Sequence, residues 1–178
     1  VSGGFYLYAS HLDYYKAQKE LVLSWKLLVD AGFNYPLVLV GPTVNEYGRE
    51  VVALIKKLNL QDYVIWLGQI EYEKLPDIYQ ASRALIFASS CECCPNILLE
   101  MLASGKTILC SNYDPMPEFG ENGVIYFDPY SRNQLYKTIS NIECGLIDTK
   151  MTQKTAYELS AKYSHAEMLG KTIKYLVS

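Results

Sequence analysis

The sequence lacks the features that mark several large functional classes. It has little excess of either charge, because 16 Lys and Arg stand against 19 Asp and Glu and the formal net charge is −3. Nothing in this balance favours nucleic acid or an anionic membrane surface as a partner. No apolar run approaches the ~20 residues of a membrane-spanning helix. We see no signal peptide either, and because the chain starts at Val1 rather than Met we expect a fragment of a longer protein.

The chain also lacks the usual motifs for metals and for common nucleotides. No Asp-x-Asp, Gly-x-Gly-x-x-Gly or Walker motif is present. Three of the five cysteines, Cys91, Cys93 and Cys94, lie close together, but Cys-x-Cys-Cys with only two histidines does not have zinc-site spacing. An odd number of cysteines in such a chain predicts reduced, half-buried thiols and a cytoplasmic protein. We therefore expect no metal site.

What the sequence does contain is a regular alternation of apolar runs and helical periodicity. The predicted strands cover residues 5–8, 37–40, 64–66, 84–87, 107–109 and 124–127. The predicted helices cover residues 17–30, 45–58, 72–80, 131–142, 152–162 and 165–176, with another beginning at residue 95. Strands without polar alternation, separated by helices, indicate a parallel sheet covered on both faces. We therefore predict an α/β fold.

The segment after the fourth predicted strand is the most informative one. It places Glu92 in a loop and Glu100 in the helix that follows. Pro95 is predicted at the first helical position, where its missing N–H leaves no acceptor unpaired. The next three amides would be free donors at a positive dipole end, and they belong to Asn96, Ile97 and Leu98. This layout suits a ligand with phosphate in the middle and hydroxyls at both ends, such as a sugar nucleotide.

Other polar segments also follow predicted strands. They cover residues 10–16, 41–42 and 68–69. In a parallel sheet the carboxyl ends of the strands meet at one edge, where ligands bind. We therefore expect these segments to converge on the segment that carries Glu92 and Glu100.

Taken together, the segments resemble the C-terminal, donor-binding domain of a family 4 retaining glycosyltransferase (glycosyl transferases group 1). The strongest motif is Glu-x7-Glu at Glu92 and Glu100, followed by a helix end rich in small residues. Further matching segments cover residues 64–68, 75–79, 117–118, 122–123 and 127–129. The resemblance spans nearly the whole chain. It implies a Rossmann-like sheet, one half of a GT-B fold, with residues 1–178 as a single donor-binding domain and the N-terminal acceptor domain absent.

The resemblance also implies a role for each matched residue. Glu100 would accept hydrogen bonds from the donor ribose, and Glu92 would orient the transferred sugar near its anomeric carbon. The amides of residues 96–98 would hold the diphosphate. Three further residues would line the cleft, two beside the base and one at the start of a helix: Gly68, Gln69 and Glu118. Each charged residue alone also fits a solvated position, so the ordered set of segments carries the resemblance.

The first loop departs from the family pattern. The family has Arg and Lys here to neutralise the diphosphate, and this chain has His11 and Lys16. Histidine is mostly uncharged near neutral pH, so the loop supplies less fixed charge. A second departure is the stretch 112–114, Asn-Tyr-Asp, where the family commonly has Gly-Gly. It bears on how closely the backbone can approach the transferred sugar.

The implied activity is retaining transfer of a hexose from a UDP-, GDP- or ADP-sugar, without a metal ion, in surface polysaccharide synthesis. The acceptor would be a glycan or a lipid-linked glycan bound by the missing domain, and this fragment alone would transfer nothing. The full-length protein would be cytoplasmic, with peripheral association at the inner membrane face. Two alternatives remain open: a sugar-nucleotide epimerase of the same architecture, and a degenerate binding or scaffolding domain, which the departures at His11 and residues 112–114 support.

Overall fold

The protein is an α/β domain built on one six-stranded parallel sheet. The computed structural model describes residues 4–43 and 45–163. The strands are β1 Tyr6–Ala9, β2 Leu37–Val40, β3 Val64–Trp66, β4 Ala84–Phe87, β5 Ile108–Ser111 and β6 Ile125–Phe127. Their order is β3-β2-β1-β4-β5-β6, and every neighbouring pair is parallel. The predicted Rossmann-like parallel sheet is confirmed.

Seven helices connect or follow the strands in the described part of the chain. They are α1 Gln18–Asp30, α2 Glu46–Lys57, α3 Leu75–Ala81, α4 Asn96–Ala103, α5 Met116–Gly120, α6 Arg132–Glu143 and α7 Thr149–Lys162. The helix predicted over residues 165–176 lies outside the described residues. None of the helices within residues 4–43 and 45–163 is both long and apolar enough to cross a lipid bilayer.

Two 3₁₀ turns precede helices. Tyr14–Lys16 precedes α1, and the left-handed conformation of Ala17 (φ 54°) separates the two, so the helix predicted over residues 17–30 begins at Gln18. Tyr72–Lys74 continues directly into α3, so the first part of the helix predicted over residues 72–80 is a 3₁₀ turn. A side chain of the sheet stabilises the turn Tyr14–Lys16, because the hydroxyl of Tyr8 in β1 donates to the Lys16 carbonyl at 3.0 Å.

The burial of the strands explains why their sequences do not alternate. Every residue of β1, β2, β4 and β5 is buried, so both faces of these strands need apolar side chains. The chain moves from β1 to β2 in one direction and from β4 to β5 in the other, and right-handed crossovers then place α1 and α4 on opposite faces. Accordingly α1 packs against α2 and α6, whereas α4 packs against α5 and α7.

The same strand order defines where a ligand can bind. The chain reverses its direction across the sheet between β1 and β4, which are neighbours in the centre. Loops at such a reversal diverge to opposite faces and leave a crevice at the carboxyl ends of the strands. The loops after β1 and β4 carry Lys16 and Glu92, and both therefore border this crevice.

Candidate functional site

The segments predicted to converge do meet at the carboxyl edge of the sheet. They form a cavity of about 370 Å³ above β1, β2 and β4. Its lining comes from the loops after β1, β2 and β3 and from helix α4, and it includes His11, Gly41, Pro42, Gln69, Ile97 and Glu100. Because four separate strand ends contribute, the parallel sheet assembles this cavity from residues far apart in sequence.

Glu100 has both carboxylate oxygens engaged by tyrosines. The Tyr72 hydroxyl donates to Oε1 at 2.9 Å, and the Tyr79 hydroxyl donates to Oε2 at 3.3 Å. The hydrogen bond to Glu100 raises the pKa of Tyr72 above its ordinary value. Burial, followed by the charge of Glu100, raises the pKa of Tyr79. Tyr79 falls in a segment that carried the resemblance, whereas no feature of the sequence pointed to Tyr72.

Two glycines shape the wall of this cavity, for different reasons. At Gly41 (φ 137°) an added Cβ would lie 2.2 Å from the Ser10 carbonyl oxygen, so only glycine fits against the first loop. At Gly68 (φ 72°) no atom lies within 4 Å of an added Cβ, and the left-handed backbone alone favours glycine. The close approach within the protein is thus at Gly41, and Gly68 leaves open space beside its backbone. Gln69 lines the cavity, and Gly68 does not.

A second cavity of about 230 Å³ lies at the start of α4. It is lined by Lys16, Phe87, Glu92, Cys94, Pro95, Asn96 and Ile97. Within it the Lys16 ammonium forms an ion pair with Glu92 Oε1. The two side chains are only 4% and 14% exposed. Lys16 is thus not a solvated lysine opening a helix: it is a buried cation, held by the carboxylate predicted to contact the sugar.

The start of α4 differs by one residue from the prediction. Pro95 is the N-cap residue and α4 begins at Asn96, because Pro95 has a non-helical backbone (φ −81°, ψ 65°). The Asn96 amide donates to the Cys94 carbonyl at 2.9 Å and is not free. Among the described residues the amides of Ile97 and Leu98 have no acceptor. Two of the three predicted donors therefore remain for an anion.

His11 and Lys16 face different cavities. His11 lines the larger one, and its Nε2 lies 3.0 Å from the Tyr15 hydroxyl and 3.9 Å from Asp13 Oδ2. Lys16 Nζ lies 4.9 Å from the centre of the Tyr15 ring, so Tyr15 stands between the two. Burial first, and the charges of Glu92 and Asp13 next, raise the pKa of Tyr15. Residue type and spacing did not predict this separation.

Glu118 and the stretch 112–114 lie apart from both cavities. Glu118 is exposed in α5 and lines neither of them. Asn112, Tyr113 and Asp114 line a separate depression of about 320 Å³ together with Asp128. The three clustered cysteines are exposed rather than half-buried, because their loop projects from the sheet edge. No group of three His, Cys, Asp or Glu within residues 4–43 and 45–163 is arranged to hold a metal ion.

Comparisons with known proteins concern the family and the fold of the chain. The family model described as "Glycosyl transferases group 1" matches residues 3–158. The O-antigen chain mannosyltransferase B of Escherichia coli is 27% identical over 128 residues, which are 71% of this chain and 33% of that relative. A second curated relative is likewise covered for 31% of its length, so the chain spans about a third of the curated relatives it matches.

Two solved structures show the same fold. The HepE protein of Anabaena, solved in complex with UDP, superposes with a TM-score of 0.84 at 17% identity, over 99% of this chain and 49% of that chain. The C-terminal domain of LpcC from Francisella tularensis gives a TM-score of 0.76 at 20% identity, over 93% of this chain and 89% of that domain.

Proposed function

Because this chain belongs to the glycosyl transferases of group 1, we propose that it binds the nucleotide-sugar donor of a hexosyltransferase. The donor is a UDP-, GDP- or ADP-sugar, and the hexose passes to a glycan or lipid-linked glycan with retention of configuration. Two similar proteins support this choice: HepE is solved with UDP, and the E. coli relative is a mannosyltransferase of an O-antigen chain. The second also supports the proposed role in surface polysaccharide synthesis.

The observation that carries the proposal is the junction of the two cavities. Ile97 lines both the 370 Å³ cavity and the 230 Å³ cavity. Ile97 therefore lies where the two spaces meet, and its amide and that of Leu98, the next residue of α4, have no acceptor within the described residues. A nucleoside in the larger cavity and a sugar in the smaller one place a diphosphate at these amides, next to the positive end of the helix dipole.

The charged groups suit the bond that breaks. When the bond between the anomeric carbon and the diphosphate oxygen cleaves, its electron pair leaves with the diphosphate and the sugar ring becomes positive. The Lys16 ammonium has three N–H donors and Glu92 takes one, which leaves donors for a phosphate oxygen. Preorganised groups of this kind stabilise charge as it develops. Together with the amides they supply the counter-charge that a divalent cation provides elsewhere.

Glu92 and Glu100 divide the ligand between them. Glu100 is in the larger cavity, where an ionised carboxylate accepts from two adjacent ribose hydroxyls. Glu92 is in the smaller one, where it orients Lys16 and faces the transferred sugar. His11 is on the nucleoside side and acts there rather than beside Lys16. Gly68, Gln69 and Glu118 keep their proposed places near the base and at the cleft edge.

This chain supplies the donor half of the active site. We assign residues 1–178 to a donor-binding domain and the acceptor site to a second domain. The coverage supports this assignment, because the chain matches 49% of HepE but 89% of the isolated LpcC domain. The whole protein then works in the cytoplasm, peripherally at the inner face of the membrane, where a lipid-linked acceptor is available.

Replacing Glu100 tests the proposal. We expect Glu100→Ala to abolish binding of UDP and GDP in titration calorimetry, because hydrogen bonds to a charged group contribute about 1.5–3 kcal/mol each. The control is Glu158→Ala, an exposed glutamate in α7. Circular dichroism verifies that both variants keep the fold. Unchanged nucleotide affinity in Glu100→Ala overturns the assignment.

A second candidate is a degenerate binding domain without catalysis. The observation that favours it is His11, which stands in place of an arginine and is already paired with Tyr15. Donor hydrolysis and transfer by the full-length protein separate the two, since a degenerate domain binds UDP but neither hydrolyses nor transfers the sugar. The family match favours the transferase over an epimerase.

A further inference from the structure

The two tyrosines that bind Glu100 differ in how firmly they are held. Tyr79 is 4% exposed and packs in the core through α3, whereas Tyr72 is 67% exposed in the 3₁₀ turn before α3. The hydroxyl of Tyr72 nevertheless makes the shorter bond to Glu100, 2.9 Å against 3.3 Å. An exposed side chain thus occupies the carboxylate oxygen that a ribose would approach from solvent.

Tyr72 also stands at a partition between two spaces. It lines the 370 Å³ cavity on one side and a separate cavity of about 280 Å³ on the other. The lining of the 280 Å³ cavity is mostly apolar, and besides Tyr72 it comprises Leu75, Pro76, Tyr79, Gln80, Glu100, Ala103 and Ser104. The ring therefore has an adjacent space to enter if its hydroxyl leaves Glu100.

We propose that Tyr72 is a displaceable latch on Glu100: its hydroxyl occupies the carboxylate that is proposed to bind the ribose, and a nucleotide must displace this hydroxyl when it binds. Resting on the proposed function, this makes Tyr72 a positioning residue with a negative effect on affinity. In the free protein the Tyr72 hydroxyl donates a hydrogen bond to Glu100 Oε1. When a nucleotide binds, a ribose hydroxyl donates to that oxygen instead, and the Tyr72 ring rotates toward the 280 Å³ cavity. Tyr79 keeps Oε2 throughout, because its buried hydroxyl has no such freedom.

The latch favours release of the nucleoside diphosphate after transfer. Product release limits turnover in many enzymes. A tyrosine that returns to Glu100 competes with the departing ribose for one oxygen, and the exchange costs little because one hydrogen bond replaces another. The site therefore binds the nucleotide less tightly than it would if Tyr72 did not compete for Glu100.

Two matched substitutions with opposite expected effects test this inference. Tyr72→Phe keeps the ring and removes only the competing hydroxyl, so UDP and GDP should bind about 2- to 10-fold more tightly in titration calorimetry. Tyr79→Phe removes the hydroxyl that fixes Glu100, so the same nucleotides should bind several-fold more weakly. The thermal stability of Tyr72→Phe should equal that of the unsubstituted chain, because the residue is exposed.

A spectroscopic measurement reports the movement itself. In the chain labelled with 3-fluorotyrosine, the ¹⁹F resonance of residue 72 is the one missing from Tyr72→Phe, and it should shift on saturation with UDP. If the chain binds UDP or GDP but Tyr72→Phe binds equally or more weakly, the latch is wrong and the donor site stands. If the unsubstituted chain binds neither nucleotide, both the latch and the proposed function fail.

Discussion

The ion pair of Lys16 and Glu92 gives a prediction about stability as well as chemistry. It joins the loops after β1 and β4, and its side chains are only 4% and 14% exposed. Glu92→Gln removes the negative charge and keeps nearly the same volume. The Lys16 ammonium then lies in a largely dry site with a neutral amide oxygen in place of the carboxylate, and with the rings of Tyr15 and Phe87 4.9 and 5.7 Å away, measured to their centres.

The expected cost follows from burial. Removing one member of a buried ion pair costs about 3–5 kcal/mol, because the other charge stays desolvated. The two aromatic rings still stabilise the ammonium and so reduce this cost, since a desolvated cation–π contact contributes about 2 kcal/mol. We therefore expect Glu92→Gln to lower the free energy of unfolding by about 3 kcal/mol. For a domain of this length that lowers Tm by about 6–12 °C.

Urea denaturation with linear extrapolation measures the change, and calorimetry gives the shift in Tm. The matched control is Glu50→Gln, which breaks the more exposed pair of Lys19 and Glu50, whose side chains are 28% and 42% exposed. Pairs of that kind contribute about 0–1 kcal/mol. If Glu92→Gln costs no more than Glu50→Gln, the buried pair does not support the fold and the reasoning from burial is refuted.

Two further predictions concern the backbone and alkaline pH. Gly41→Ala should destabilise the fold by about 3 kcal/mol or more, since its Cβ would lie 2.2 Å from the Ser10 carbonyl oxygen. The control is Gly105→Ala, which has φ 64° and open space and should cost only about 1 kcal/mol. Urea denaturation measures both, and equal costs contradict the steric argument. Burial and Glu100 raise the pKa of Tyr79, so the unfolded chain loses this proton first and stability should fall as pH rises above about 10. Urea midpoints from pH 9 to 11 should fall less steeply in Tyr79→Phe; an unchanged slope contradicts the assignment.

The strands were predictable from the sequence because buried parallel strands need apolar residues on both faces. All six predicted strands are present, each within one or two residues; β1, for example, is Tyr6–Ala9 rather than 5–8. Because all strands of a parallel sheet end at one edge, the convergence of the segments that carry His11, Gly41 and Gln69 on the segment that carries Glu100 was also predictable. These features depend on which residues are buried and on the order of the elements, and the pattern of apolar residues along the sequence reflects both.

The pairing of side chains within the site was not predictable in the same way. Lys16 and Glu92 were both candidates, but nothing in the sequence showed that they bind each other across 76 positions. The contact of Tyr72 with Glu100 likewise depends on how a 3₁₀ turn directs one side chain. Such contacts are set by tertiary geometry, and residue type or spacing does not record them. Only the resemblance to a family separated the role of Glu92 from that of Glu100.

The position of the site in the sheet has a consequence for how it can change. The loops that carry Lys16 and Glu92 leave strands β1 and β4, each hydrogen-bonded to a neighbour on both sides. Such strands open only when the sheet itself opens. The loop that carries Gln69 and Tyr72 follows β3, an edge strand with one neighbour. Substitutions in the β3 loop can therefore change the lining of the larger cavity at little cost to the fold, whereas the ion pair of Lys16 and Glu92 is tied to the centre of the sheet.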